Sequence, residues 1–204
     1  MFKLVLASLM FSGLLWTQSS SPALGGPAPA FSATDDRGVR RSLADYGGKI
    51  VVLEWHTSSC SYVNKHYRSG QMQRLQQAWM DRGVIWLMVN SSGKDAPGYF
   101  TPEESRAYLA ERKIAPTAML LDAEGTVGRA YGALTALHMA IVDASGQLAY
   151  LGAIDDQPRV EAASLAAATN YVDQALTELS QKRPVSVPRT EPYGCSLHYA
   201  PPKP

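Results

Sequence analysis

The chain has 204 residues, of which 46% are hydrophobic and 18% are charged, and its formal net charge is +1. This length and composition suffice for one domain with a sizeable core. The near-zero charge argues against nucleic acid and against an anionic membrane surface, so we expect neither as a partner.

The first 23 residues have the pattern of an export signal. Lys3 precedes an apolar run from Leu4 to Trp16, which is too short to span a bilayer, and small residues follow. Residues 1–23 are therefore predicted to be a signal peptide cleaved near Ala23, and residues 24–30 a loose linker. Export to the periplasm or the cell exterior, with no membrane attachment after cleavage, would let a disulfide persist.

Apolar runs separated by turn residues predict alternating strands and helices. Strands are expected on either side of the Asp35–Gly38 turn and over Ile50–Trp55, Val84–Val89, Thr117–Leu121, His138–Val142 and Gln147–Leu151. Helices are expected after Cys60 and over Met72–Trp79, Thr101–Arg112, Thr126–Tyr131 and Val172–Leu179. This order predicts an α/β fold with a central mixed sheet flanked by helices. Residues 31–183 form the predicted domain, and residues 184–204 a proline-rich extended tail that carries Cys195.

The segment from Gly48 to Val63 joins a buried strand to a helix through a polar turn that contains Cys60. The turn residues Thr57, Ser58 and Ser59 are candidates for the helix N-cap. A cysteine at a helix N-terminus lies near unpaired backbone N–H groups and the positive end of the helix dipole, which favour the thiolate. Cys60 is therefore the predicted nucleophile, although a small buried core cysteine is the common alternative.

This segment resembles the thioredoxin superfamily, in particular its redoxin branch, the alkyl hydroperoxide reductase/thiol-specific antioxidant proteins. The resemblance rests on Gly48-Lys49, Val51-Val52-Leu53, Trp55 and Cys60 and on the upstream motifs Ala28-Pro29-Ala30-Phe31, Asp36-Arg37-Gly38 and Ser42-Leu43. It implies a thioredoxin-like fold with an N-terminal β-hairpin extension. It also implies a thiol-dependent oxidoreductase or antioxidant activity at Cys60, surrounded by Trp55, His56, Thr57, Ser58, Ser59, Leu137 and His138.

The chain departs from the patterns of the superfamily at several points. Thioredoxins carry a second cysteine where this chain has Val63, so a local dithiol is not possible. Peroxiredoxins carry Pro-x-x-x-Thr-x-x-Cys, in which Thr57 and Cys60 fit but the proline position is Leu53. Their arginine should lie near the hairpin, and none occurs between Arg129 and Arg159, which argues against fast peroxide reduction.

Leu137 takes the place of the cis-proline that most members hold beside the cysteine; a competing alignment would use Pro116. A cis bond before a non-proline residue costs about 3 kcal/mol, so a trans bond is expected. The proline of the relatives helps to expose a strand edge for a partner chain. Leucine therefore predicts weak general disulfide reduction, and Leu137→Pro is expected to raise it.

Two histidines are expected near Cys60, which makes a Cys/His metal site conceivable. His56 lies shortly before the cysteine, and His138 begins the hairpin strand. The thioredoxin-fold copper chaperones resemble a Cys-x-x-x-Cys pattern, whereas residue 64 is Asn, so we expect no metal and no cofactor. Lys65, His66 and Arg68 are interpreted as a solvated helix face.

Cys60 and Cys195 are the two cysteines of the chain, and an even pair in an exported protein predicts a disulfide. Cys195 is either a resolving thiol or part of a permanent clasp. The first function hypothesis is a peroxiredoxin-like enzyme, in which peroxide oxidises Cys60 and Cys195 or an outside thiol donor resolves it. The second is exchange with protein disulfides through Cys60, and the third is a redox-silent binding domain with a structural disulfide.

Overall fold

The computed structural model describes residues 22–201, so almost all of the predicted signal peptide lies outside the described residues. Its strands are β1 Ser32–Asp35, β2 Arg40–Ser42, β3 Val51–Trp55, β4 Ile85–Asn90, β5 Ala118–Leu121, β6 Met139–Val142 and β7 Leu148–Gly152. Its α-helices are α1 Ser61–Arg68, α2 Gln71–Met80, α3 Pro102–Glu111, α4 Thr126–Tyr131 and α5 Tyr171–Ser180. Short 3₁₀ helices span Leu43–Tyr46 and Ala162–Ala167. Across these described residues, no helix has the length and apolar character that a membrane crossing requires.

The seven strands form one mixed sheet in the order β2-β1-β5-β4-β3-β6-β7. Strand β4 is parallel to β3 and β5, while the remaining neighbours are antiparallel. The β1–β2 pair is the N-terminal hairpin, and β6–β7 is the second hairpin. The predicted α/β class, the mixed sheet and the hairpin extension are therefore confirmed.

Strand β3 lies in the middle of the sheet with all five residues buried. Because side chains alternate along a strand, Val52 and Glu54 face one layer while Val51, Leu53 and Trp55 face the other. The first core contains Cys60 and is covered by α1, α2, α3 and α5. The second core is covered by α4 and by Phe31 and Leu197 from the two ends of the described chain. Burial of each large apolar side chain stabilises the fold by roughly 1.5–3 kcal/mol.

Both ends of the described chain cover the free edge of β7. Near the N-terminal end, Gly25 N–H donates to the Leu148 carbonyl and Leu148 N–H donates to the Gly26 carbonyl, each at 2.9 Å. Near the C-terminal end, Leu151 N–H donates to the Pro188 carbonyl at 3.0 Å. The description of residues 24–30 as a loose linker is therefore wrong, because an uncovered edge strand leaves backbone groups unpaired and these residues pair with them.

Candidate functional site

Cys60 lies directly before α1, at the end of the loop that follows β3. It is the N-cap residue of the helix, with φ −85° and ψ 124°, and none of Thr57, Ser58 and Ser59 is the cap. The side chain is fully buried. The N–H groups of the first helical turn and the helix dipole favour negative charge at this position, as the sequence predicts for a thiolate.

Cys60 forms a disulfide with Cys195, with a Cα–Cα distance of 5.6 Å. The backbone N–H of Cys195 also points at the Cys60 Sγ, at 3.2 Å. Whereas Cys60 is fully buried, Cys195 is partly exposed. The tail therefore covers the predicted nucleophile and leaves its own cysteine as the more accessible partner.

The tail pairs with the backbone beside Cys60 as a short antiparallel strand. Thr135 and Ser196 form the bridge, Ala136 N–H donates to the Cys195 carbonyl at 2.8 Å, and Leu197 N–H donates to the Leu134 carbonyl at 2.9 Å. Residues 134–136 are called the docking edge below. Their pairing places the cysteine of an extended segment directly on Cys60.

Leu137 follows the docking edge and lies in the first core together with Cys60. No cis peptide bond occurs in residues 22–201, so the expected trans bond is present. Leu137 has φ 63°, and its N–H donates to the Trp55 carbonyl at 2.7 Å. Pro116 precedes β5, which β4 separates from β3, so the alignment through Leu137 is the correct one.

His56 is not directed at Cys60, contrary to the expectation. Its Nδ1 lies 3.5 Å from the Glu54 Oε1, and its Nε2 lies 3.0 Å from the Tyr108 hydroxyl. Burial raises the pKa of Tyr108 to about 12, so its hydroxyl stays protonated. His56 therefore belongs to a buried polar network, which keeps it in place by hydrogen bonds.

Glu54 is the centre of this network and was not predicted. The carboxylate is fully buried and accepts hydrogen bonds from the Tyr67 hydroxyl at 2.6 Å, the Trp86 Nε1 at 2.8 Å and the Gln76 Nε2 at 3.0 Å. Burial raises the pKa of Tyr67 well above its usual range, which keeps that phenol a donor. The signal in the sequence was an acidic residue inside the otherwise apolar run of β3.

The polar turn before Cys60 is packed under the loop that follows β4. Thr57 is buried and its Oγ1 lies 3.3 Å from the Ser59 Oγ, whereas Ser58 is partly buried and Ser59 exposed. A Cβ at Gly98 would overlap the Thr57 hydroxyl, so the loop approaches closely where only glycine fits. Asn90 Nδ2 joins the two segments by donating to the carbonyls of His56 and Gly98, at 3.1 and 2.8 Å.

His138 and Trp55 lie in the second core and not at Cys60. Their rings are 5.9 Å apart, and the Trp55 ring also packs on Tyr131 at 5.6 Å. Neither ring nitrogen of His138 has a hydrogen-bond partner among the described residues. Burial, aided by the charge of Arg189, lowers the pKa of His138 to about 4. The expectation that His138 approaches Cys60 is therefore wrong, because His138 directly precedes β6 and continues its alternation on the face of Ala140, opposite to the face of Cys60.

Lys65 and His66 are buried, so the predicted solvated helix face is wrong at these two positions and holds for Arg68. Lys65 Nζ donates to the Gln157 carbonyl at 2.7 Å and to the Tyr193 hydroxyl at 3.4 Å. His66 Nε2 lies 3.3 Å from the same hydroxyl and 3.7 Å from Asp155 Oδ2. Tyr193 also donates to Asp155 Oδ1.

Among residues 22–201, no group of three His, Cys, Asp or Glu side chains is arranged to hold a metal ion. The backbone beside Cys60 is instead paired with the tail, through Ala136, Leu134 and the Thr135–Ser196 bridge. The arrangement is suited to thiol chemistry, in which a sulfur at a helix N-terminus exchanges its partner sulfur.

Solved structures with the same architecture include two proteins without a described activity. A hypothetical protein from Sinorhizobium meliloti 1021 is 20% identical, with a TM-score of 0.74, over 89% of this chain and 97% of that chain. An uncharacterized conserved protein from Geobacillus kaustophilus is 25% identical, with a TM-score of 0.75, over 89% and 94% of the two chains. A thiol:disulfide interchange protein from Bacteroides sp. is 22% identical, with a TM-score of 0.52, over 71% and 88%.

Comparison with the curated proteins gives no match. The sequence profile of the AhpC/TSA family, however, matches residues 24–151, which contain the strand β3, Cys60 and the docking edge. The matched region covers more than half of the chain and agrees with the thioredoxin-like architecture. The chain therefore belongs to the AhpC/TSA family, in the redoxin branch of the thioredoxin superfamily.

Proposed function

We propose that the protein is an exported thiol oxidoreductase in which Cys60 is the nucleophile and Cys195 the resolving cysteine. The observation that carries this proposal is the Cys60–Cys195 disulfide, which joins a helix N-terminal cysteine to a tail paired along the docking edge. A permanent clasp would serve equally well anywhere on the surface. This one lies where the family holds its reactive sulfur.

In the reduced protein, the Cys60 thiolate attacks one sulfur of a substrate disulfide. A bond forms between Cys60 and that sulfur, and the second substrate sulfur leaves as a thiolate. The Cys195 thiolate then attacks the Cys60 sulfur, which restores the Cys60–Cys195 disulfide and releases the remaining substrate thiolate. The substrate has gained two electrons, which an external thiol donor must return to the cysteine pair.

A polypeptide disulfide is the substrate class that the docking edge favours. Backbone N–H and carbonyl groups at Ala136 and Leu134 pair with an extended chain, independently of its side chains. Such β-strand addition is a common way to bind an extended polypeptide. The tail occupies this edge in the oxidised state, so in the reduced protein the tail must leave the edge before a substrate polypeptide binds there.

A hydroperoxide is the second candidate, which Thr57 and the family relationship favour. Attack by the Cys60 thiolate on the terminal peroxide oxygen gives the sulfenic acid and releases an alkoxide or hydroxide. Condensation with the Cys195 thiol then forms the disulfide and releases water. The missing arginine argues that this reaction is slow.

The test is mass mapping of both cysteines in the reduced protein after addition of one equivalent of oxidant. Oxidised glutathione and dilute hydrogen peroxide are used in parallel, and free thiols are alkylated at each time. We expect rapid re-formation of the Cys60–Cys195 disulfide, and in Cys195→Ser an adduct confined to Cys60. In a redox-silent domain, both thiols would instead remain free with either oxidant for as long as free glutathione takes to react with that oxidant.

Export is the remaining part of the proposal. The extracytoplasmic setting agrees with the disulfide. N-terminal sequencing of the mature protein from a periplasmic or culture fraction is expected to begin near Leu24. Recovery of the full-length protein from the cytosolic fraction would contradict it.

A further inference from the structure

Tyr193 of the tail is held by a site that the cysteine chemistry itself does not require. Its hydroxyl donates to Asp155 and is approached by Lys65 and His66, all three of which are buried. The ring packs edge-on against Tyr62, with centroids 5.5 Å apart. The term tyrosine pocket is used below for Tyr62, Lys65, His66 and Asp155.

The tyrosine pocket is chemically built for a phenol. The carboxylate of Asp155 accepts the hydroxyl proton, while the ammonium group of Lys65 approaches the same oxygen and also lies 5.2 Å from the ring centroid. Phenylalanine would fill the volume but leave these buried polar groups without their shared partner, which is costly. The pocket therefore distinguishes tyrosine from phenylalanine.

The position between the tyrosine and the cysteine requires glycine. Gly194 has φ 144°, a backbone conformation that L side chains rarely adopt, and a Cβ there would overlap the Ala136 carbonyl oxygen. The docking edge and the tyrosine pocket thus impose one pattern on an extended segment. That pattern is a tyrosine, a glycine and then the cysteine that reaches Cys60.

We infer that the tyrosine pocket and the docking edge form a recognition site for Tyr-Gly-Cys segments of other polypeptides. The inference rests on the proposed function, because it needs Cys60 to exchange disulfides. Once Cys195 is reduced, departure of its tail segment takes away the phenol that Asp155, Lys65 and His66 share and leaves the backbone groups of the edge unpaired, while Lys65 and Asp155 keep their hydrogen bonds to the backbone of Gln157. A segment with the same pattern satisfies both, so the tail serves as an internal copy of the substrate.

The reaction expected at this site is thiol–disulfide exchange between Cys60 and a peptide disulfide. The Cys60 thiolate attacks one sulfur of a symmetric disulfide formed by two copies of one peptide. The Cys60–peptide disulfide forms, the peptide–peptide disulfide breaks, and the second peptide leaves as its thiolate. No further oxidant or reductant is needed, because one disulfide replaces another.

The experiment uses the full-length chain with Gly194→Ala and Cys195→Ser, in which the tail neither fits the edge nor competes as a thiol. The probe is the symmetric disulfide of a synthetic peptide with the sequence of residues 190–198, compared with versions carrying phenylalanine for Tyr193 or alanine for Gly194. The rate of Cys60–peptide adduct formation is followed by mass spectrometry. We expect the matched peptide to react about tenfold faster than either altered peptide.

The pocket is tested from the protein side with Asp155→Asn in the same background. This change should reduce the preference for tyrosine over phenylalanine to about twofold, because the phenol loses its charged acceptor. Asp156→Asn is the matched control, since Asp156 is exposed and bonds to Thr169 and Gln157 instead. Asp156→Asn should leave the preference for tyrosine over phenylalanine unchanged.

Equal rates for all three peptides, with rapid reaction of Cys60 toward oxidised glutathione, would overturn the recognition site while leaving the proposed function intact. Failure of Cys60 to react with any disulfide in a folded variant would overturn the proposed function itself. Should the double variant not fold, as judged by circular dichroism, the same peptides are compared on Cys195→Ser. The tail then competes, but the expected order of rates is the same.

Discussion

The tail is attached to the body in two different ways. Residues 192–197, the cysteine span, hold the disulfide, the pairing with the docking edge and Tyr193. The flanking anchors, residues 188–190 and 198–200, contain no cysteine. In the first anchor Thr190 Oγ1 lies 2.6 Å from the Tyr150 hydroxyl and accepts from Ala153 N–H at 2.8 Å.

The second anchor lies on α4 and the neighbouring loops. Tyr199 donates to the Ala133 carbonyl at 2.6 Å, and its ring lies 4.8 Å from the Arg129 guanidinium. A Cβ at Gly125 or Gly128 would overlap the Tyr199 ring or hydroxyl, so two glycines make room for it. The contacts of both anchors are made without either cysteine. Reduction should therefore loosen the cysteine span as a loop between two fixed ends and leave the remainder of the tail in place.

The largest expected effect separates the roles of Cys60 in the body and Cys195 in the cysteine span. Cys60→Ser should lower alkylation of the reduced, folded protein at mild pH by about 100-fold or more, because the remaining thiol lacks the helix N-terminus. Cys195→Ser should retain the reactive thiol. Loss of labelling in Cys195→Ser instead would show that the nucleophile had been assigned to the wrong cysteine.

The next effect concerns Leu137 beside the docking edge, and it reverses the sequence-based expectation. Leu137→Pro should not improve activity, because proline cannot adopt φ 63° and removes the N–H that donates to Trp55. We expect a loss of about 3 kcal/mol or more in the free energy of unfolding, measured with urea. Leu137→Met, which keeps the N–H and nearly the same volume, should cost less than about 1.5 kcal/mol. Unchanged stability of the proline variant would contradict the backbone geometry.

The third effect shows whether the flanking anchors stay attached when the disulfide is absent. A disulfide that closes so long a loop contributes up to roughly 5 kcal/mol on the chain-entropy model. Because the anchors already close the chain on both sides, we expect Cys195→Ser to cost only about 2 kcal/mol. Hydrogen exchange should show lost protection in the cysteine span, and retained protection of the Thr190 N–H, which donates to the Leu151 carbonyl, and of the Gly93 N–H, which donates to the His198 carbonyl.

Thr190→Val is the matched perturbation of an anchor. It removes the hydrogen bonds of the Thr190 hydroxyl and should cost about 1–2 kcal/mol without changing the reactivity of Cys60. If loss of Cys195 released both anchors as well, the division of the tail into two kinds of attachment would be wrong.

The smallest effect lies in the second core, away from the tail cysteine. The pKa of His138 is lowered to about 4, whereas an unfolded histidine titrates near about 6.5. The unfolded state therefore binds the extra proton first, and this histidine makes the protein less stable as the pH falls through that window. His138→Leu should raise stability at neutral pH by about 1 kcal/mol, because it removes two unpaired buried nitrogens.

The pH dependence of His138→Leu provides the check. Burial also lowers the pKa of His66 to about 4, so this second histidine retains its own acid sensitivity. We expect the decrease in unfolding free energy between about pH 6.5 and pH 4 to become roughly half as steep. An unchanged slope would mean that His138 is not protonated on unfolding in this range.

Local patterns in the sequence predict most of the fold. Strands β3, β4, β6 and β7 follow apolar runs and turn residues, and the position of Cys60 follows from a strand, a polar turn and a helix. The cysteine pair is predictable because the chain contains two cysteines. Such signals lie within a few residues of one another, so their consequences can be derived without the tertiary structure.

The errors concern side chains whose partners are distant in sequence. Lys65 and His66 look like a solvated helix face until Tyr193, which is 127 positions beyond His66, is brought onto them. His56 looks like a neighbour of the thiol because of its spacing, but Tyr108 and Glu54 hold it inside the first core. Spacing along a strand or loop does not specify which distant group satisfies a buried polar atom.

The proposed cycle requires that the Cys60–Cys195 disulfide be a working redox pair in the folded protein. The measurement is its rate of reduction by dithiothreitol under native conditions, followed by alkylation and mass mapping at increasing reductant concentration. Because Cys195 is partly exposed, the predicted rate rises in proportion to reductant and far exceeds the rate of global unfolding. A rate that reaches a plateau at the global unfolding rate would show a permanent clasp and contradict the proposed cycle.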